Sequence, residues 1–164
     1  MNRIAKIAVD LPLGEGVIAI ASKKIEISLD CPDCQRKRRT VVFQEGESHG
    51  VCTPTGHWFR GVVLSKRQQE ERGLFAVEYE VEYQYEPFID GKYPDRLPYY
   101  GPSEGIPTWA RVSFIITCPR CQATVARSTQ TNLVRPHTEK CGCGHDLLTH
   151  DAPPSLSWRN DGAA

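Results

Sequence analysis

Residues 110–121 read Ala-Arg-Val-Ser-Phe-Ile-Ile-Thr-Cys-Pro-Arg-Cys, and this stretch decides the fold. Val112, Phe114 and Ile116 alternate with Arg111, Ser113 and Ile115, the two-residue period of a strand with one buried face. The strand runs without a break into Cys118-Pro119-Arg120-Cys121. A C-x2-C pair on a tight turn converges two sulfurs on one point while turn amides face the thiolates. A strand that ends in such a turn implies an antiparallel hairpin.

Nineteen residues separate Cys121 from Cys141-Gly142-Cys143-Gly144-His145, enough for two further strands and their connections. Cys118, Cys121, Cys141 and Cys143 together supply four thiolates, the donor set of a closed tetrahedral zinc site. Four sulfurs favour zinc among the common ions. A closed site is structural, because catalytic zinc keeps a position open for water or substrate. The arrangement over residues 110–148 resembles the zinc-ribbon family, in which two knuckles at hairpin ends clasp one zinc. That resemblance implies a fold and a metal and no particular activity. The family pattern usually closes with C-x2-C, whereas here the last pair is C-x-C, so His145 is an alternative to one of the thiolates.

The same construction occurs earlier. Ile25, Ile27 and Leu29 alternate with Glu26, Ser28 and Asp30 and lead into Cys31-Pro32-Asp33-Cys34. Laying residues 25–35 over 112–122, a shift of 87, matches apolar with apolar and repeats the Cys-Pro-x-Cys-Gln knuckle, the mark of a weak internal duplication. This copy offers only Cys31, Cys34 and Cys52, so a second zinc needs a histidine. His57 is preferred to His49, because Thr55-Gly56-His57 resembles Cys143-Gly144-His145. The competing readings are a degenerate copy with Cys52 as a small buried residue, three thiolates sharing a ligand from elsewhere, and an open three-cysteine zinc. Zinc deaminases pair an H-x-E with a P-C-x-x-C signature, and the chain has no P-C-x-x-C. Cys52 with His57 as nucleophile and base is the least favoured.

Elsewhere the sequence continues in strands. Phe75, Val77, Tyr79, Val81, Tyr83 and Tyr85 alternate with Ala76, Glu78, Glu80, Glu82, Gln84 and Glu86, giving one packed and one acidic face. Residues 59–64 read as its partner strand, 65–72 as a loop or one short helix, and 87–109 as a long aromatic loop broken by five prolines. The whole reads as all-β: one antiparallel domain over residues 1–150, with ribbon-like motifs at 24–58 and 110–148 joined through the acidic strand. Residues 151–164 read as a flexible tail.

Lysine plus arginine and aspartate plus glutamate each number 20, and the two halves of the chain are separately balanced. This argues against binding through phosphate neutralisation. No apolar run approaches the roughly 20 residues of a membrane span, and the start develops no apolar signal core. Seven cysteines, six of them in close pairs, point to metal ligation in a reducing compartment, so the expected location is cytoplasmic. Gly-rich phosphate loops, nucleophile elbows and paired catalytic acids are missing, which leaves an enzyme without support.

The function expected from these features is a non-enzymatic, zinc-stabilised protein-binding module, in the form of an inhibitor or immunity-type partner of a toxin. Its candidate surface is Glu78, Glu80 and Glu82 on the acidic strand with Tyr93, Tyr99, Tyr100 and Trp109 on the aromatic segment. The alternative is a nucleic-acid-binding accessory protein using the basic run Arg36, Lys37, Arg38 and Arg39.

Overall fold

The structure is a computed structural model describing residues 3–30, 38–46, 48–52, 57–71, 73–87, 105–132 and 135–160. Among the described residues there is no helix, and every strand pairing is antiparallel. The strands are β1 (Arg3–Pro12), β2 (Ile18–Asp30), β3 (Arg38–Phe43), β4 (Ser48–Cys52), β5 (His57–Glu71) and β6 (Leu74–Pro87). They continue with β7 (Pro107–Thr117), β8 (Thr124–Gln130), β9 (His137–Lys140), β10 (Asp146–His150) and β11 (Ser155–Asn160).

One sheet has the order β11-β1-β6-β5-β4, a second the order β3-β2-β7-β8, and β9 with β10 form a two-stranded ribbon. The two larger sheets share one core, so the architecture is a β-sandwich with an appended ribbon. Ile7, Val9, Phe75, Tyr79 and Val81 from the first sheet pack in the same buried cluster as Ile25, Ile27, Leu29, Val112 and Phe114 from the second. Ring pairs cross the interface, with Phe75 and Phe114 centroids 4.7 Å apart. Tyrosines buried at the sheet interface need partners for their hydroxyls. Tyr79 donates to the Ser22 carbonyl and Tyr83 to that of Gly105 at 2.6 Å.

The alternating stretches form strands as expected, and the odd positions of β6 from Phe75 to Tyr83 are all buried. Three expectations are corrected. Residues 65–71 are neither loop nor helix but the second half of β5, paired with β6 down to Glu71↔Leu74. Their polar side chains are used across the sandwich: Gln68 Nε2 donates to the Ala19 carbonyl at 2.6 Å, and Lys66 Nζ to that of Ala21 at 3.1 Å. The tail expected from residue 151 contains β11, which pairs with β1 from Arg3↔Asn160 to Ala8↔Ser155 and covers that edge. Arg3 lies over the Trp158 ring at 4.5 Å. Finally, β6 does not join the two knuckle hairpins. They meet directly through β2 and β7, which gives the second sheet the symmetric order β3-β2-β7-β8.

Candidate metal centre

Cys118 and Cys121 lie in the turn between β7 and β8, Cys141 and Cys143 in the turn between β9 and β10. The first turn is closed by the Cys118 amide donating to the Ala123 carbonyl at 2.9 Å and the Gln122 amide donating to the Cys118 carbonyl at 3.0 Å. Gln122 sits in the left-handed region, φ 63°, where the chain reverses into β8. In the second turn the Gly144 amide donates to the Cys141 carbonyl at 2.8 Å, with Gly144 at φ 90°, a conformation glycine adopts without strain.

These two turns bring the four sulfurs within 4.8 Å of one another. Cys118 Sγ is 3.7 Å from Cys143 Sγ, and Cys121 Sγ is 3.3 Å from Cys141 Sγ. A tetrahedral zinc with bonds of about 2.3 Å places its sulfurs about 3.8 Å apart, so the cluster fits the ion with small adjustments. The sulfurs are too far apart for a disulfide bond of about 2.0 Å. Cys118 and Cys141 are buried, Cys121 and Cys143 exposed, so the centre sits at the edge of the core.

The environment of the sulfurs favours a metal. The Cys121 amide donates to Cys118 Sγ and, with burial opposing and the Arg120 amide adding to it, brings that thiol down to about 6. The Ala123 amide acts in the same sense on Cys121, but the neighbouring sulfurs, Cys141 first, outweigh it and push Cys121 up to about 12. One thiolate is therefore favoured by the turn, and further negative charge beside it is disfavoured unless a cation is present. A divalent ion removes that conflict.

The second turn is also tied to the body. The connection between β1 and β2 runs along it, with a bridge between Leu13 and Leu148 and the Gly14 amide donating to the Leu147 carbonyl at 2.9 Å. His145, the alternative ligand, instead donates Nε2–H to the Glu15 carbonyl at 2.8 Å. It anchors the knuckle and leaves ligation to the four cysteines. A Cβ on Gly14 would lie 1.7 Å from the Asp146 carbonyl oxygen, and one on Gly16 3.1 Å from the Pro119 ring. The segment from Leu13 to Gly16 thus touches both knuckles, a role that the paired glycines of Leu13-Gly14-Glu15-Gly16 could have indicated.

Of the first knuckle set, Cys31 and Cys34 lie outside the described residues. Cys52 and His57 are directly opposite one another in the β4–β5 register. His49, on β4, pairs in register with Arg60. Arg36 and Lys37 lie outside the described residues, and Arg38 and Arg39 begin β3, opposite Asp30 and Leu29. Tyr93, Tyr99 and Tyr100 also lie outside. Trp109 belongs to β7, where the Arg111 guanidinium lies 5.5 Å from its ring centre, so strand has replaced the expected loop at this position. Glu78 is ion-paired with Lys6 at 3.4 Å and Glu80 with Arg159 at 3.7 Å, neighbours in the same sheet. Glu82, two residues further along β6, sits opposite Ile4 of β1.

Comparison with known proteins gives no further guide: no family model matches the chain, and neither curated proteins nor solved structures yield a match.

Proposed function

We propose that the protein is a non-enzymatic binding module in which a zinc held by Cys118, Cys121, Cys141 and Cys143 fixes the β9–β10 ribbon onto a sandwich that engages another protein. The observation that carries the metal half is the four-sulfur cluster, with donor separations close to those of a tetrahedral site. Four thiolates fill the coordination sphere, so this zinc supports the fold.

Support for a protein partner comes from the outward face of the β3-β2-β7-β8 sheet. Ile18 and Ile20 are each 61% exposed and Ile115, opposite Ile20, is 51% exposed. Beside them a groove of about 840 Å³ is lined by Leu13, Val17, Ile18, Ile20 and Gln68 among others. Contiguous exposed apolar side chains of this kind mark interaction surfaces. The partner proposed is a toxin, with this protein as its inhibitor or immunity-type partner.

A second zinc at Cys31, Cys34, Cys52 and His57 belongs to the same proposal. Its support is the order of elements: β2 and β3 flank the first knuckle and β4 and β5 the Cys52–His57 end, just as β7 with β8 and β9 with β10 flank the four-cysteine cluster.

The test is affinity capture from the native host with zinc-loaded protein and with an Ile18→Asp, Ile20→Asp double variant. A specific partner retained by the parent and lost by the folded variant supports the reading; capture of no partner, or equal capture by both, overturns it.

A further inference from the structure

The ribbon that carries Cys141 and Cys143 at its tip carries a second set of donors at its base. His137 and Glu139 are two residues apart on β9 and share a face. His150, on β10, is the register partner of His137. Cross-strand partners hold their Cβ atoms about 5 Å apart, so three ligand-bearing side chains converge on one face of a two-stranded sheet. One donor atom from each lies within 4.8 Å of the other two.

The details suit a metal. His150 Nε2 and Glu139 Oε2 are 3.1 Å apart. Two ligands at about 2.0 to 2.1 Å on a tetrahedral zinc are separated by about 3.3 Å. The second carboxylate oxygen, Oε1, is held by Arg127 Nε at 3.1 Å, an outer partner that orients the ligand. The His137 ring donates Nδ1–H to the Arg135 carbonyl at 2.5 Å, so in the neutral ring Nε2 is the nitrogen with the lone pair for coordination. The two imidazoles are stacked, with centroids 4.5 Å apart and planes at 18°. His150 is 8% exposed, whereas His137 lies on the exposed side of the set.

From this geometry we infer that His137, Glu139 and His150 form a second metal site, distinct from the cysteine cluster, that takes a divalent transition ion such as zinc or cobalt. Two imidazoles and one carboxylate suit borderline ions of this class. Three protein ligands leave coordination positions open. The site lines a pocket of about 270 Å³, whose other walls include Arg111, Thr129 and Gln130, so water completes the coordination sphere there. Sequence reading passes over the set because His137 and His150 are 13 residues apart and meet only through the β9–β10 register.

The competing arrangement is a hydrogen-bonded His150–Glu139 pair with His137 stacked upon it and no metal. Titration of Co²⁺ into protein whose cysteine sites are already filled with zinc separates the two. The site predicts one further Co²⁺ per chain, with d–d absorption and without the thiolate-to-cobalt charge-transfer band that cysteine ligation produces. His137→Ala, an exposed substitution that spares the core, and Glu139→Gln, which keeps the side chain's shape, are each expected to weaken that binding more than about 100-fold, beyond the usual loss of an outer partner. Retention of zinc by the cysteines in both variants reports that the ribbon is folded. Absence of a further Co²⁺ in the parent, a thiolate band accompanying it, or equal binding by parent and variants overturns the inference.

Discussion

Ile25 and Val112 face one another across β2 and β7, and they are also the two positions that coincide when the sequence is laid over itself with a shift of 87. An antiparallel pair made of equivalent residues is what an approximate two-fold axis through that point requires. On either side the hairpins extend outward, β3 beyond β2 and β8 beyond β7. The relation is imperfect: the register shifts between Ala21 and Ile25, so Phe114 pairs with Ala21 where strict symmetry would give residue 23. The repeated strand-into-knuckle motif is thus matched by a repeated arrangement in space.

Removal of zinc is expected to act locally before it acts globally. The ribbon has few buried side chains of its own, chiefly Leu147, Leu148 and His150, and depends on its knuckle to stay on the body. Structural zinc in small motifs contributes roughly 10 to 16 kcal/mol of apparent binding free energy. Hydrogen exchange after chelation should accelerate in β9, β10 and residues 13–16, with β1, β5 and β6 still protected. Uniform protection with and without metal would contradict this.

Gly14→Ala tests the clasp between the β1–β2 connection and the ribbon. The added Cβ would meet the Asp146 carbonyl oxygen, a backbone atom, at 1.7 Å, so one of the two segments must move. A loss of about 2 to 3 kcal/mol in denaturant unfolding is expected, at the upper end of overpacking costs, together with faster zinc release. The same substitution at Gly73, where a Cβ meets nothing within 4 Å, suffers only from its φ of 77° and should cost less.

Deletion of residues 155–164 should destabilise the fold. It removes β11, exposes the β1 edge and uncovers Arg3 beneath Trp158. An uncovered strand edge also invites pairing between molecules. The expected outcome is a lower melting temperature with concentration-dependent association, read by calorimetry and light scattering. A flexible tail would leave both unchanged.

Alkaline pH should weaken the protein through Tyr79 and Tyr83. Burial pushes Tyr79 up to about 12 and Tyr83 higher still, the latter opposed by Arg3. In the unfolded chain both ionise near 10. A raised folded value means that the folded state holds the proton longer, so the stabilisation is complete below about pH 10 and is lost as pH rises through 10 to 12. Of the six tyrosines, these two should ionise above the rest or together with unfolding, followed by absorbance at alkaline pH. All six titrating together near 10 with the fold intact would refute it.

Much of this structure can be read in the sequence where burial is one-sided. Alternation in residues 24–30, 75–86 and 110–117 gives strands because one face of each meets the core. The cysteine spacing gives the four-sulfur cluster because side chains from two turns must converge to form it. The second half of β5 escapes the same reading. Its polar side chains serve long-range acceptors, Gln68 to Ala19 and Lys66 to Ala21, which no local pattern reveals. In β11 only Leu156 is partly buried within the strand, so the period is lost even though its backbone pairs fully with β1. In β1 the inward residues Ala5, Ile7, Val9 and Leu11 do alternate, but Ala8 on the other face blurs the contrast.

The most direct test of the central claim is zinc per chain in protein purified under reducing conditions, for the parent and for Cys121→Ser, a substitution at an exposed ligand. One equivalent fewer is expected in the variant, whatever other sites are filled, with the sandwich strands still folded. The same zinc content in parent and variant would contradict it.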